Sequence, residues 1–174
     1  TKGRSAIRGL GGTKNCDWWF ADRGILLDTA GRYTTEAEDR EEWMAFLRLL
    51  KRGRGKRPIN GVVVAMGLAE LLESTDAELN VHAENIRDRI DELTRELQTV
   101  FPIYVVFTKC DRLRGFVETF DTLNKEQRRQ VWGFTFPFAR GREFSVADQF
   151  GKEFDDLYRS LVMRRVDLMA SDHF

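Results

Sequence analysis

"ILLDTAGRY", residues 25–33, is the stretch of sequence that decides the fold class. Three aliphatic residues lead into Asp28, and Gly31 follows three positions later. An aliphatic run of this kind is typical of a buried strand, and polar residues directly after it lie where the strand ends. An aspartate and a glycine at this spacing are the residues with which nucleotide switch proteins hold Mg²⁺ and approach a γ-phosphate.

Each of these two residues has a separate expected task. Asp28 is predicted to hold Mg²⁺ through a water molecule, because magnesium dehydrates reluctantly and keeps few direct carboxylate ligands. Gly31 is predicted to let its backbone N–H approach the γ-phosphate, because glycine has no Cβ in the way. An aspartate followed by a glycine also ends ordinary strands, so a purely structural role for the motif stays open.

A second polar motif, Thr108-Lys109-Cys110-Asp111, follows the apolar run at 103–107. The Asp111 carboxylate can accept two parallel hydrogen bonds from N1–H and the exocyclic amine of guanine. The aliphatic stem of Lys109 can cover the base or the ribose while its ammonium group stays in water. The motif therefore predicts a base-binding loop, although a tetrapeptide of this kind also recurs by chance.

Both motifs stand at the ends of predicted strands. Because ligands of a parallel α/β sheet bind at the carboxyl ends of its strands, we expect Asp28–Gly31 and Thr108–Asp111 to lie at one edge of the sheet. Together they predict a site for Mg²⁺ with GTP or ATP, and the Asp111 carboxylate favours guanine.

Two further candidates rest on position alone. Arg32 follows Gly31, where Ras-like proteins carry a glutamine that orients the attacking water. Arginine has no hydrogen-bond acceptor, so Arg32 could only stabilise charge, and an ordinary surface role is equally open. Thr13 precedes the first predicted strand, where switch proteins place a threonine on Mg²⁺, so it is a second candidate metal ligand.

The phosphate-binding loop GxxxxGK[ST] occurs nowhere in the 174 residues. Its backbone amides and lysine normally surround the β- and γ-phosphates, so without them both affinity and charge stabilisation in the transition state collapse. We therefore expect this chain alone to hydrolyse nothing, and a hydrolytic activity would need an upstream phosphate loop.

Apolar periodicity predicts alternating strands and helices. The predicted elements, in chain order, are a hairpin at about 16–28 with its turn at Ala21-Asp22, a helix at 36–51, a strand at 61–66, a helix at 76–100, a strand at 103–109, short helices at 115–123 and 126–132, and a helix at 146–169. This order predicts an α/β fold of the P-loop GTPase-like type, with a mostly parallel sheet, helices on both faces and one antiparallel hairpin. Residues 1–145 would form the NTPase-like domain without its phosphate loop, and 146–174 a C-terminal helix that packs on it or extends from it.

Composition excludes several classes of protein. The 28 basic and 28 acidic residues balance, so no net charge recruits nucleic acid or an anionic membrane. Two cysteines, Cys16 and Cys110, are expected to be reduced thiols, and no apolar run approaches the roughly 20 residues that cross a bilayer. These features predict a soluble, cytosolic piece of a longer chain. The basic run at 51–57 is expected to be a solvated loop, with lipid headgroups or RNA as minor alternatives.

Five stretches together resemble a known family. They are GGTKNCDWWF at 11–20, LLDTAGRYTT at 26–35, WMAFLRLLKRGRGKRPINGVVV at 43–64, YVVFTKCDRLRGF at 104–116 and RRQVWGFTFP at 128–137. They resemble the IcmF/TssM family of large inner-membrane proteins of type VI and related type IVB secretion systems. The resemblance runs through residues 9–138 and implies the cytoplasmic NTPase-like domain between the second and third membrane helices of that family.

The resemblance implies roles and partners. Asp28 and Gly31 match the family's DTAG motif, and Thr108, Lys109 and Asp111 match its base-recognition motif. The implied location is the cytoplasmic face of the bacterial inner membrane, with membrane contact only through helices outside this chain. The implied partners are TssL, TssJ through the rest of the protein, and baseplate components such as TssK, with no nucleic acid.

Two alternatives to a nucleotide switch stay open. The chain could be a catalytically inactive GTPase-like scaffold that docks secretion-system partners. Signal-recognition-particle GTPases also carry DTAGR and TKxD, but they lack NCDWWF and WGFTFP, so a fragment of such a GTPase is the weaker alternative.

Overall fold

The computed structural model describes residues 16–29, 40–136 and 145–171. The chain divides into two compact units, Thr1–Thr108 and Lys109–Phe174. The first unit contains all four described strands and the main hydrophobic core, and the second is built from helices and turns. The boundary expected at residue 145 from the sequence stays a prediction about domains.

The predicted hairpin is confirmed. Strand β1 (Cys16–Ala21) pairs antiparallel with β2 (Gly24–Thr29). The turn lies at Asp22-Arg23, one residue later than predicted, because Ala21 still pairs with Gly24. This shift places Asp17 opposite Asp28, whereas a turn at Ala21-Asp22 would have placed Asn15 there.

Two strands form the parallel part of the fold. Strand β3 (Val62–Gly67) pairs parallel with β4 (Ile103–Thr108), from Val62 opposite Ile103 to Gly67 opposite Thr108. Their β-branched and aromatic residues are typical of strands. In the described part of the chain, β1 and β2 form one sheet and β3 and β4 another. The prediction of a mostly parallel sheet is thus confirmed only for β3 and β4, because β2 forms its ladder with β1.

Two amphipathic helices supply the core of the first unit. Helix α1 comprises Arg40–Arg54, and its predicted start at Glu36 lies outside the described residues. Helix α2 (Leu68–Glu73) follows β3 without having been predicted. Helix α3 (Asp76–Leu97) packs against α1. The core cluster consists of Trp43, Leu47, Leu50, Leu93 and Leu97. Within each helix these residues recur at helical spacing, as expected from the periodicity that predicted the two helices.

The ends of α3 follow from local chemistry. Thr75 and Glu78 form a reciprocal capping box, in which the Thr75 hydroxyl accepts from the Glu78 N–H and the Glu78 carboxylate accepts from the Thr75 N–H at 2.7 Å. At the other end, Gln98 takes a left-handed conformation and its N–H donates to the Thr94 carbonyl at 3.0 Å. The helix therefore stops before Pro102, slightly earlier than predicted.

The second unit contains a short helix, α4 (Phe116–Phe120), and the long C-terminal helix α5 (Val146–Ser171), whose prediction is confirmed. Arg164 of α5 joins them, because its Nε donates to the Thr119 carbonyl at 3.0 Å and its Nη2 to the Thr122 hydroxyl at 3.2 Å. The guanidinium also lies over the Phe120 ring, 5.4 Å from its centre. Helix α5 is thus fixed to α4 by one arginine that closes the end of the shorter helix.

Across the described ranges, no helix combines the length and the apolarity that a membrane crossing requires.

Candidate functional site

The predicted magnesium ligand Asp28 lies on β2 and is exposed. It stands directly opposite Asp17 of β1, so both side chains project from the same face of the hairpin. Directly opposite residues of an antiparallel pair have Cβ atoms about 4.5–5.5 Å apart, so two negative charges are held close together. Thr13, Gly31 and Arg32 lie outside the described residues.

The negative charges of Asp17 and Asp28 act on the thiol of the neighbouring residue Cys16. Burial raises the pKa of the Cys16 thiol, and the charges of Asp17 and Asp28 raise it further. The same field that disfavours a thiolate favours a cation. Asp17 and Asp28 supply two carboxylates at this end of the hairpin, and Mg²⁺ prefers carboxylate oxygens and water as ligands.

Sequence reasoning missed Asp17, although a signal was present. With the turn at Asp22-Arg23, the register of a two-residue hairpin pairs Asp17 with Asp28 automatically. An Mg²⁺ ion held by Asp17 and Asp28 would keep most of its ligands as water. The described residues contain no group of three or more histidine, cysteine, aspartate or glutamate side chains suited to a metal ion.

The second motif begins where β4 ends. Thr108 pairs with Gly67 of β3, and its hydroxyl donates to the Met66 carbonyl at 3.2 Å. The two strands therefore end together. This bond uses the Thr108 hydroxyl to tie the carboxyl ends of β3 and β4 to each other.

Lys109 has an unusual backbone conformation. Among the described residues, only Gln98 and Lys109 have a positive φ without being glycine, and Gln98 is explained by the end of α3. Lys109 lies in the left-handed region with φ 57° and ψ 30°. This conformation costs a residue with a Cβ about 1–2 kcal/mol. Strain of this kind at a predicted binding motif supports a functional role.

The conformation of Lys109 starts a tight turn that carries Asp111. The Lys109 carbonyl accepts from the Arg112 N–H at 3.1 Å, and the Cys110 carbonyl accepts from the Leu113 N–H at 3.0 Å. Asp111 lies inside this single 3-10 turn, at 110–112, and is exposed. Neither Cys110 nor Cys16 forms a disulfide.

The shared edge expected for Asp28 and Asp111 stays a prediction. Asp28 belongs to the sheet of β1 and β2 in the first unit, and Asp111 belongs to the second unit. What the structure does bring together is the pair of residues at the ends of β3 and β4, Gly67 and Thr108.

A charged cluster that the sequence did not reveal lies between α1 and α3. Glu92 is buried, with its side chain 8% exposed, and it pairs with Arg89 at 2.6 Å and with Arg40 at 2.9 Å. Arg40 is the first residue of α1 that the structure describes. The cluster lines a surface groove of about 320 Å³, none of whose lining residues was predicted as a site residue. Glu92 therefore attaches the start of α1 to α3.

Comparison with known proteins settles the family. The model of the IcmF-related N-terminal domain matches residues 36–173. The chain belongs to the IcmF-related family. The type VI secretion system component TssM1 of Pseudomonas aeruginosa strain PAO1 is 49% identical over 176 residues, covering 98% of this chain and 16% of that protein.

The resemblance to the IcmF/TssM family expected from the five sequence stretches is thus confirmed. The chain spans 16% of the length of that relative, so it corresponds to one segment of the relative. No solved structure matches the chain. The mixed α/β architecture is therefore established by the structure itself, from its hairpin, its parallel pair and its helices.

Proposed function

We propose that the chain is the nucleotide-binding switch domain of a type VI secretion membrane-complex protein, with a GTPase-like fold that prefers guanine nucleotides. The phosphate loop would be supplied by residues of the longer protein outside these 174. Membership of the IcmF-related family and the similarity to a type VI secretion component support the setting. The observation that carries the nucleotide proposal is the left-handed Lys109, which starts the turn bearing Asp111.

The turn at Lys109 suits base recognition for a physical reason. A backbone that reverses directly after a strand presents the next side chains at the end of that strand, where ligands of parallel sheets bind. The exposed Asp111 carboxylate is available for the N1–H and amine of guanine, a pair of donors that adenine lacks. Lys109 then covers the base with its aliphatic stem.

The hairpin would serve the metal and the phosphate. Bound Mg²⁺ neutralises negative charge on the β- and γ-phosphates. Asp28 would hold the ion through water. Asp17, which lies directly opposite Asp28 in the hairpin, would add the negative charge of a second carboxylate. Thr13 would be a further ligand, Gly31 would approach the γ-phosphate, and Arg32 would stabilise charge.

The domain would act on the cytoplasmic face of the bacterial inner membrane. In this proposal the nucleotide state changes contacts with other secretion subunits, namely TssL, TssJ through the rest of the protein, and baseplate components such as TssK. The support is that the 49% identical relative is a component of this secretion system. The chain alone would be inactive as an NTPase.

The proposal is tested on the full-length protein that contains this chain, with fluorescent GTP as the probe. Binding should weaken about tenfold or more when Mg²⁺ is removed with EDTA, and Asp28→Asn should weaken it to a similar extent in the presence of Mg²⁺. Asp22→Asn, in the turn of the same hairpin, is the matched control and should bind like wild type. Equal binding by wild type and Asp28→Asn, with or without Mg²⁺, would refute the metal assignment.

A second candidate function is a docking scaffold, and β4 favours it. Its five apolar residues are each 42–55% exposed, although strands of parallel sheets are normally covered on both faces. A scaffold would cover these residues with a partner and would need no nucleotide. If Asp28→Asn and Asp111→Asn leave assembly with other secretion subunits intact while nucleotide binding is lost, the scaffold role stands alone.

A further inference from the structure

A compact group of cations follows helix α1. The basic turn, residues 52–57, contains Arg52, Arg54, Lys56 and Arg57 separated by two glycines, and all four cations are exposed. None of the four pairs with a carboxylate of the described residues. Elsewhere cations do find such partners, for example Arg129 with Glu126 at 3.5 Å and Lys152 with Asp156 at 3.8 Å.

The helix dipole explains only part of this group. Cations in the last turn of a helix are stabilised by its negative end, and this accounts for Arg52 and Arg54. Lys56 and Arg57 lie beyond the end of α1, where the dipole gives no reason for them. Four like charges within six residues also repel one another, and no carboxylate of the described residues offsets this repulsion. Binding of an external anion would reduce it.

The basic turn is fixed at both ends. The Gly55 N–H donates to the Lys51 carbonyl at 3.0 Å, and Gly55 has a positive φ of 60° that closes the helix. Pro58, directly after the turn, is fully buried. A turn held in this way loses little conformational entropy when it binds.

Exposed aliphatic side chains accompany the cations. Leu49 lies one helical turn before Arg52 and is 66% exposed, and Val100 is 77% exposed. Val100 belongs to the segment joined to the same region, because Lys51 Nζ donates to Gln98 Oε1 at 2.9 Å and the Val62 N–H donates to the Pro102 carbonyl at 3.0 Å. Protein surfaces that bind at a bilayer combine cations with apolar side chains in this way.

We propose that the basic turn, with Leu49 and Val100, docks on an anionic phospholipid surface. Headgroup phosphates accept from guanidinium and ammonium groups, and the two aliphatic side chains enter the interface. Single-stranded nucleic acid would call for aromatic side chains on which bases stack, whereas Leu49 and Val100 are aliphatic. Headgroup charge is diffuse, so it fits a turn of four cations without a shaped groove. The resemblance implied membrane contact only through helices outside this chain, and this surface adds a second contact.

The position of the basic turn is compatible with a nucleotide site. It precedes the amino end of β3, whereas the base-binding residues Lys109 and Asp111 follow the carboxyl end of β4. Membrane docking therefore needs neither the nucleotide nor its residues, and the two proposals can fail separately.

The test is co-sedimentation of the 174-residue chain with vesicles. Vesicles of phosphatidylglycerol and phosphatidylcholine should bind the chain, and raising the salt concentration should reduce partitioning about tenfold or more. Vesicles of phosphatidylcholine alone should bind little. The variant with Arg54→Gln, Lys56→Gln and Arg57→Gln should partition about a hundredfold less, at roughly fivefold per cation.

The matched control carries Arg129→Gln, Lys152→Gln and Arg159→Gln, which makes the same change of net charge at cations that already have carboxylate partners. It should stay within about threefold of the unmodified chain. The double variant Lys56→Gln with Arg57→Gln leaves α1 unchanged, so it still tests the proposal if the triple variant does not fold. Equal losses in both triple variants, equal binding to neutral vesicles, or binding to RNA or polyaspartate without binding to the anionic vesicles would each overturn the proposal.

Discussion

The helix pair α1–α3 and the strand pair β3–β4 both carry apolar side chains, yet those side chains have different surroundings. Leu47 of α1 is 0% exposed and packs in a core supplied by the same chain. Every apolar residue of β4 is about half exposed, on both faces of the strand. The two helices thus bury the apolar side chains of their core within the first unit. The apolar side chains of β4, in contrast, are left partly uncovered by the described residues. The chain therefore stabilises the helix core by itself, whereas β4 offers an apolar surface to other residues or subunits.

The largest effect should come from the helix pair. Leu47→Ala should lower the free energy of unfolding by about 3 kcal/mol, because it removes a fully buried side chain and leaves a cavity. Leu49→Ala on the same helix is the control and should change it by less than about 0.5 kcal/mol, since Leu49 is exposed. Urea denaturation measures both. Similar losses for the two variants would mean that the core is placed incorrectly.

A smaller loss is expected from the charged cluster between the helices. Glu92→Ala should cost about 2 kcal/mol, because Arg89 then loses the partner of its mostly buried guanidinium. Arg40→Ala should cost less than about 1 kcal/mol, since Arg40 is exposed and Arg89 still pairs with Glu92. Urea denaturation of the two variants should reproduce this order. The reverse order would show that Arg40, not Glu92, organises the cluster.

The capping box of α3 should have an effect of about 1 kcal/mol. Thr75→Ala removes the hydroxyl that accepts from the Glu78 N–H, and a lost N-cap of this type destabilises a helix by that amount. Thermal unfolding of Thr75→Ala measures the loss, with Thr75→Ser, which keeps the hydroxyl, as the matched control. An unchanged melting temperature would show that the capping box does not stabilise the protein.

The same box has a pH dependence. The backbone N–H of Thr75 lowers the pKa of the Glu78 carboxyl, and the Thr75 hydroxyl lowers it further. The stabilisation is therefore present above the ordinary glutamate pKa and is lost as the pH falls through the lowered value. Glu78→Gln should be less stable than the unmodified chain near neutral pH, and the gap should close in acid. A gap that is constant with pH would contradict this origin.

Substitution in β4 should have little effect in this chain alone. Val105→Ser should cost less than about 1 kcal/mol here, because Val105 is about half exposed. In the full-length protein the same change should cost more, if other residues or subunits cover β4. Hydrogen exchange of the β4 amides in both contexts measures the difference. Identical protection in both would show that β4 stays uncovered.

The smallest effect concerns the hairpin. Asp17→Asn should lower the pKa of the Cys16 thiol, because it removes one of the charges that raise it, so a larger fraction is thiolate at a given pH. Alkylation of Cys16 by iodoacetamide should then be about twofold faster. Asp22→Asn in the turn is the control. Equal rates would mean that Asp17 does not act on this end of the hairpin.

Periodicity made much of the fold predictable. The apolar stripes of α1 and α3 and the apolar runs of β3 and β4 predict the type of each element, because helical spacing is typical of amphipathic helices and short β-branched runs are typical of strands. Helix α2 was missed because LAELLE is too short to show a helical period. The hairpin turn was placed one residue early, because Ala21 and Asp22 fit a turn as well as Asp22 and Arg23.

The candidate site was only partly predictable. Asp28 and Asp111 follow from motifs, but Asp17 depends on a register that shifts with the turn. The left-handed Lys109 could not be predicted, because residue type alone gives no preference for that conformation in lysine. Glu92 was missed because a charged helical residue is normally solvated, and only packing against Arg40 and Arg89 reveals its burial.

The most direct test of the nucleotide account is the base specificity of Asp111 in the full-length protein. Asp111→Asn should weaken GTP binding about tenfold or more and strengthen XTP binding correspondingly, because the asparagine amide can donate to the xanthine carbonyl that replaces the guanine amine. Fluorescence competition with GTP, XTP and ATP measures the exchange. A guanine preference that survives the substitution would contradict the assignment of Asp111 and, with it, the nucleotide account.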